Sequence, residues 1–133
     1  MLDNQQKIRY LKQYRQLKQE FEESQERYLE LKEKVISTPI QHLSDMPKGN
    51  SKRDKIGDSL ALLEEVEAKK FKLLNKYIKI QNIIFNVEDT LERRLLRFRY
   101  VDGLSFESIA HELSYTWRHV HRIHSRALKN LQL

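Results

Sequence analysis

The sequence predicts an all-α protein: two long helices, forming an antiparallel hairpin or a coiled coil, followed by a small helix-turn-helix domain. Three observations support this class. The 133 residues include only three glycines and two prolines, which are few for the many turns of a β fold. Charged residues make up 33% of the chain, as in proteins with long exposed helices. Apolar residues recur at steps of three and four, and this spacing places them on one side of a helix.

Residues 1–36 form the first predicted helix, with neither glycine nor proline between Asp3 and Ile36. An apolar stripe, interrupted only at Ser24, runs along it through Tyr14, Leu17, Phe21, Tyr28, Leu31 and Val35. An isolated amphipathic helix leaves such a stripe in water, so another helix has to cover it. Either the second helix of the same chain or a second copy of the protein, in a homodimer, can do so.

Residues 37–58 form a predicted basic linker or long ordered loop. Pro39, Pro47 and Gly49 interrupt any helical pattern there. The second half is basic through Lys48, Lys52, Arg53 and Lys55. These side chains could contact phosphate groups, but a solvated loop is the simpler interpretation.

Residues 59–85 form the second long predicted helix, with Asp58 or Ser59 as its N-cap. Its apolar stripe, interrupted only at Lys70, consists of Leu63, Val66, Leu73, Tyr77, Ile80, Ile84 and Val87. Further apolar residues widen the stripe in the second half of the helix. This half is therefore expected to face both the first helix and the C-terminal domain.

Residues 86–133 form the predicted C-terminal domain, which opens with a short helix. Asn86 is a suitable N-cap for that helix, and Gly103 supplies the turn that ends it. Its inner face carries Leu91, Leu95 and Phe98.

The remaining residues of this domain have the spacing of a helix-turn-helix. Ser105 and Thr116 are placed to cap its two helices. The motif needs a small residue where the helices cross and a branched residue ten positions later that points back into the crossing. Ala110 and Val120 meet this requirement, and Ile123 follows one turn later.

The outward face of the second helix predicts a surface that binds double-stranded DNA. This helix carries no acidic residue, and the chain has a net charge of +6. Arg118, His121 and Arg122 are predicted to read base edges. The residues predicted at or near the DNA backbone are Thr116, Trp117, Ser125, Arg126 and Lys129. For Trp117, a place over the hydrophobic core is an equally good interpretation.

The sequence contains no complete motif for catalysis or for metal binding. The chain contains no cysteine, which excludes disulfides, thiolate metal ligands and a cysteine nucleophile. The sequence HELSY begins like the zinc-protease motif HExxH, but Tyr115 stands where the second histidine is required. His121 and His124 lie one turn apart, without a carboxylate on the same helix to complete a metal site. We therefore expect no enzyme, no metal ion and no other cofactor.

Several short motifs follow one another in residues 91–131. They are the pair Arg99-Tyr100, the triplet Gly103-Leu104-Ser105, the pair Ile109-Ala110 and the ending HSRALKNL, His124 to Leu131. Together they resemble region 4 of bacterial sigma factors, the part that reads the −35 promoter element. The whole layout, with a helical N-terminal half and a loop similar to LSDMPKG (residues 43–49), resembles the RinA-like and ArpU-like late transcriptional regulators of phages and prophages.

The resemblance implies a sequence-specific DNA-binding transcriptional regulator of phage or prophage type, acting on late genes with host RNA polymerase. Residues 1–85 lack the aromatic-rich region with which a sigma factor melts the −10 element, so this chain is not expected to open promoters alone. No apolar run approaches the roughly 20 residues of a membrane span, which favours the cytoplasm of a bacterial host cell. Two alternatives stay open: a DNA-packaging protein like a small terminase subunit, and a module that docks on RNA polymerase without binding DNA.

Overall fold

The computed structural model describes residues 2–37 and 50–133, except for the side chains of residues 50–56. Within these ranges every regular element is helical. In chain order they are α1 (Asn4–Ser37), α2 (Asn50–Phe85), α3 (Thr90–Leu96), a π-helical turn (Arg97–Val101), α4 (Phe106–Leu113) and α5 (Trp117–Asn130). The predicted all-α class is confirmed. Of the helices described, none combines the length and the apolar character needed to cross a membrane.

The described residues form two compact units. One contains the residues up to Lys18 together with Asn75–Leu133, and so includes the beginning of α1, the end of α2 and helices α3 to α5. The other consists of the described part of Gln19–Leu74, the remaining lengths of α1 and α2. Both long helices therefore contribute to each unit.

The two long helices pack against each other within the chain as an antiparallel hairpin. In the first unit, Leu11 and Tyr14 of α1 share a buried cluster with Ile80 and Ile84 of α2. The ring of Tyr14 also meets that of Tyr77 edge-on, with 5.8 Å between the ring centres. The apolar stripe of α1 is thus covered here by α2, as the hairpin prediction requires.

The second unit explains why a lysine interrupts the stripe of α2. Val66 and Leu73 are buried, whereas Lys70, between them, places its ammonium 4.3 Å from the centre of the Tyr28 ring on α1. A cation over an aromatic face is attracted by the ring's π electrons, with about 0.5–1 kcal/mol at a partly exposed site. At Lys70 the spacing predicts an apolar contact with α1, and the interaction with Tyr28 takes the place of that contact.

Helix α2 begins earlier than the sequence suggested. It starts at Asn50, so that the second half of the predicted linker is helical and Asp58 and Ser59 lie inside the helix instead of capping it. Gly57 does not end the helix, because one isolated glycine costs only about 1 kcal/mol relative to alanine. The rest of the predicted linker, residues 38–49, lies outside the described residues, as do the side chains of its basic residues.

Helix α3 is capped by Asp89 and not by Asn86, the predicted cap. The Asp89 carboxylate accepts a hydrogen bond of 2.9 Å from the backbone N–H of Glu92. Asn86 directly follows α2, and its backbone N–H donates to the Asn82 carbonyl at 3.0 Å. An aspartate both satisfies a free N–H group and places negative charge at the positive end of the helix dipole.

Two buried clusters hold the C-terminal helices in place. One joins α3, α4 and α5 through Leu95, Ile109, Ala110, Val120 and Ile123. The other joins α3, the π-helical turn and α5 to the long helices, through Leu96, Tyr100, Ala127, Leu128 and Leu131 packed with Leu11, Tyr14, Ile80 and Ile84. Helices α3 and α5 are therefore buried on two sides. The end of α2 faces both α1 and the C-terminal domain, as expected, but it does so through Ile80 and Ile84 of the stripe itself. Of the residues that widen the stripe, Phe71, Ile78 and Phe85 are exposed.

Candidate nucleic-acid interface

Helices α4 and α5 form a helix-turn-helix in which a side-chain hydroxyl caps each helix. The Ser105 hydroxyl accepts a hydrogen bond of 3.1 Å from the backbone N–H of Ser108. The Thr116 hydroxyl accepts one of 3.2 Å from the backbone N–H of His119. Each cap satisfies one of the free N–H groups of its helix, which typically stabilises the helix by about 1 kcal/mol. Both caps agree with the sequence prediction.

The turn between the two helices depends on a left-handed residue, Ser114, with φ 57° and ψ 39°. Its backbone N–H donates to the carbonyls of Ala110 and His111, which ends α4. Glycine is common at such turns because a side chain makes the left-handed conformation cost roughly 1–2 kcal/mol. Ser114 takes up this conformation in the place of that glycine.

The two helices cross at Ala110 and Val120, as the spacing predicted. Ala110 is 8% exposed and Val120 is completely buried, and both belong to one cluster with Ile123. The small side chain of Ala110 lets the helices approach closely, and Val120 fills the space next to it. This packing fixes which side of α5 faces outward.

The outward side of α5 presents the candidate DNA-reading face. Five predicted residues line one shallow depression there: Trp117, Arg118, His121, Arg122 and Ser125. Arg118, Arg122 and Ser125 are exposed. Within the described part of the chain, neither arginine has a hydrogen-bond or ion-pair partner. Their guanidinium groups are therefore available to acceptors outside the protein.

His121 differs from the two arginines because its ring is packed between aromatic side chains. The ring centre lies 3.9 Å from that of Trp117 and 4.3 Å from that of Phe106. Its Nε2 atom is buried and has no hydrogen-bond partner among the residues that the structure describes. Trp117 itself is 55% exposed, so it stands on His121 and does not cover the hydrophobic core. The structure thus favours an outward-facing Trp117 and leaves Nε2 of His121 facing away from solvent.

The remaining residues predicted to contact the DNA backbone differ from one another in their surroundings. Thr116 and Lys129 are exposed. Arg126 instead donates from Nε to a carboxylate oxygen of Glu92 on α3 at 2.8 Å, and Asn130 donates to the same oxygen at 3.2 Å. Glu92 is only 3% exposed, and a buried carboxylate needs such partners. Arg126 therefore stabilises the packing of α5 on α3, with 55% of its side chain still exposed.

His124 is part of the core and does not belong to the DNA-reading face. Its Nε2 atom and the Tyr100 hydroxyl are joined by a buried hydrogen bond of 2.7 Å. Burial, followed by the nearby His121 and Arg99, lowers the pKa of His124 to about 4. Burial also raises the pKa of Tyr100 to about 12, against an opposing effect of Arg99. Among the described residues, no three His, Cys, Asp or Glu side chains are grouped so that they could hold a metal ion.

Two side chains of α1 reach the C-terminal helices, and the sequence alone indicated neither. Lys7 is only 9% exposed, and its Nζ donates to the carbonyls of Leu128 at 2.7 Å and Leu131 at 2.9 Å, at the carboxyl end of α5. Arg15 lies so close to Gly103 that a Cβ atom on this glycine would collide with the guanidinium group. Gly103 has φ +74°, in the left-handed region that favours glycine. Helix α1 thus contacts both the turn before α4 and the end of α5.

The C-terminal helices match a known protein family. Residues 89–133, about a third of the chain, match the model of the family described as sigma-70, region 4. Comparison with curated proteins found no match, and comparison with solved structures found none either. The matched residues include α3, α4, the turn and α5. The C-terminal domain is therefore a helix-turn-helix similar to sigma-70 region 4, which indicates a DNA-binding domain of the regulator type.

Proposed function

We propose that this protein is a sequence-specific DNA-binding transcriptional regulator of phage or prophage type. In this proposal it acts on late genes together with host RNA polymerase, in the cytoplasm of a bacterial cell. The observation that supports DNA binding is the pair Arg118 and Arg122, exposed and without ion-pair partners in the described chain, on the outward face of a helix-turn-helix. Such a face is what a recognition helix presents to the major groove. The phage type and the role at late genes rest on the resemblance to RinA-like and ArpU-like regulators.

Arg118 and Arg122 are the residues that we assign to base reading. They lie four positions, about 6 Å, apart along α5, so their side chains project from the same side of the helix on successive turns. An arginine in the major groove can donate two hydrogen bonds to O6 and N7 of a guanine. Each such pair discriminates against a wrong base by roughly 1–3 kcal/mol. The two arginines would therefore prefer sites with guanines at two nearby positions.

The remaining residues of the face receive supporting roles. Thr116, Ser125 and Lys129 are exposed and suited to phosphate contacts. We assign Trp117, which is 55% exposed, to contact with a sugar or a thymine methyl group. We assign His121 to positioning, because its packed ring supports Trp117 from below. Arg126 can reach phosphate only with the part of its guanidinium that Glu92 does not hold.

The first experiment is genome-wide mapping of the DNA bound in cells that carry the gene. Enrichment upstream of late genes, together with co-purification of host RNA polymerase, would support the proposal. A ring-shaped oligomer bound at a packaging start site would support a terminase-like protein instead. Tight binding to polymerase, without any salt-sensitive binding to DNA, would support a docking module.

The second experiment tests the recognition helix with an enriched duplex and a scrambled one. Arg118→Ala and Arg122→Ala should each weaken binding to the enriched duplex about 5- to 150-fold and change binding to the scrambled duplex much less. Lys129→Ala should weaken both equally and lower the salt slope by about one. Circular dichroism should show all three variants folded, since these side chains are exposed. If both arginine variants bind the enriched duplex like the unmodified protein, α5 does not read DNA.

A further inference from the structure

The beginning of α1 is strongly basic and the rest of this helix is not. Residues 2–18 contain the basic residues Lys7, Arg9, Lys12, Arg15 and Lys18, against the single acidic residue Asp3. Residues 19–37 instead carry six glutamates and three basic residues. A helix that is only solvated usually mixes the two signs at spacings of three or four, because such pairs stabilise it. The basic segment is therefore a local feature of the first few turns.

Three of these basic residues form what we call the amino-terminal basic face: Arg9, Lys12 and Arg15. They follow one another at a spacing of three, so they occupy adjoining turns on one side of α1. All three are exposed, and none has an ion-pair partner in the part of the chain that the structure describes. Lys7 differs, because it is buried at the end of α5. Among the described residues, no acidic side chain forms an ion pair with the basic face.

The position of Arg15 connects this face with the helix-turn-helix. Arg15 lies over Gly103, two residues before Ser105, the cap of α4. The first helix of a helix-turn-helix crosses the DNA backbone while the second enters the groove. Arg15 is therefore held beside the helix that meets phosphate groups. The two hydrogen bonds of Lys7 to the end of α5 fix α1 in this place.

We propose that the amino-terminal basic face binds the sugar–phosphate backbone of double-stranded DNA, next to the bases that α5 reads. This inference rests on the proposed function and extends it to α1. The planar guanidinium of Arg15 can donate two hydrogen bonds to one phosphate, and Lys12 and Arg9 continue the positive charge along the helix. Contacts of this kind carry no sequence information, so the face adds affinity and fixes orientation while α5 supplies specificity.

The test compares charge removal inside and outside the face. The test variants are Arg15→Gln and the triple variant Arg9→Gln/Lys12→Gln/Arg15→Gln. The control variant is Arg27→Gln, which removes an exposed arginine from the glutamate-rich part of the same helix. Each is measured on the enriched duplex and on a scrambled duplex of about three helical turns, roughly 30 base pairs, at several salt concentrations. The slope of log affinity against log salt should fall by about 0.9 for Arg15→Gln and by up to about 2.7 for the triple variant, equally on both duplexes.

Two controls separate a phosphate contact from other effects. Arg15→Lys keeps the positive charge and should therefore retain most of the salt slope. If the guanidinium over Gly103 has a purely structural role, the lysine variant loses that role as Arg15→Gln does. Thermal unfolding of Arg15→Gln identifies any loss of folded protein. Arg27→Gln should leave the slope unchanged; if it lowers the slope as much as Arg15→Gln, only the net charge matters and the inference is overturned.

The outcomes also separate this inference from the proposed function. If Arg15→Gln and the triple variant keep the full slope while Arg118→Ala and Arg122→Ala lose preference for the enriched duplex, the basic face does not bind DNA but α5 does. If the unmodified protein binds neither duplex, both proposals fail together.

Discussion

Lowering the pH from 7 to 5 is expected to destabilise the unit that contains His124. This ring lies in the core, in a hydrogen bond of 2.7 Å with Tyr100 and edge-on to Phe106, with 5.0 Å between the ring centres. His121 and Arg99 lie near it, and positive charge on either opposes protonation of His124. None of the described residues that act electrostatically on His124 is an anion, so its protonation puts an uncompensated cation into a buried place.

The magnitude follows from the two pKa values of this imidazole. In the folded protein the pKa is about 4, and in the unfolded chain it is close to the ordinary 6.5. Between these values the unfolded chain binds a proton that the folded protein does not, so stability falls as the pH falls from 6.5 towards 4. The full difference corresponds to roughly 3 kcal/mol, of which about 2 kcal/mol is lost between pH 7 and pH 5. Above pH 6.5 the neutral His124 makes essentially its full contribution to the free energy of unfolding.

The measurement is urea unfolding followed by circular dichroism at several pH values between 5 and 7. His124→Gln removes the titration and keeps a group that can hydrogen-bond to Tyr100, so its free energy of unfolding should depend much less on pH. His111→Gln is the matched control, since His111 is an exposed histidine on α4 and the pH dependence should persist without it. An equal loss of stability between pH 7 and pH 5 in His124→Gln and in the unmodified protein would refute the reasoning.

Two further predictions concern the contacts that hold α5. Lys7→Met should lower the free energy of unfolding by about 2 kcal/mol, because two hydrogen bonds from a charged group to buried carbonyls are lost. Lys12→Met, on the exposed side of α1, should change the free energy of unfolding by less than about 0.5 kcal/mol in the same urea titration. Ser114→Gly should raise the thermal midpoint through a gain of about 0.5–1 kcal/mol, because glycine adopts φ 57° without strain; a lowered midpoint would show that the serine side chain stabilises the turn.

The features that the sequence predicted correctly depend on short distances along the chain. Ser105 and Thr116 cap their helices through backbone groups only three residues away. Ala110 and Val120 meet because two short helices and a tight turn allow only one relation between them. Periodicity along α1 and α2 likewise indicated which sides of these helices would be covered. Each of these inferences needs only local geometry.

The features that were missed depend on how distant segments pack. Lys7 and Arg15 have the pattern of solvated residues of α1. Only packing brings the carboxyl end of α5 beside Lys7 and the turn at Gly103 beside Arg15. The contact of Arg126 with Glu92 joins two helices in the same way and has no local signal. His124 is different, because it lies four residues after Val120 and three before Ala127, and this spacing already places it on the inner side of α5.

The region similar to sigma-70 region 4 does not bury all of its apolar side chains by itself. One side of α5 packs on α4, but its other buried side, at Leu128 and Leu131, shares a cluster with Leu11 of α1 and Ile84 of α2. The first and last segments of the chain therefore fold as one unit, in which the position of the candidate recognition helix is set by residues more than a hundred positions away. Because the hydrogen bonds of Lys7 end on α5 itself, the beginning of α1 directly constrains the helix that we propose reads DNA.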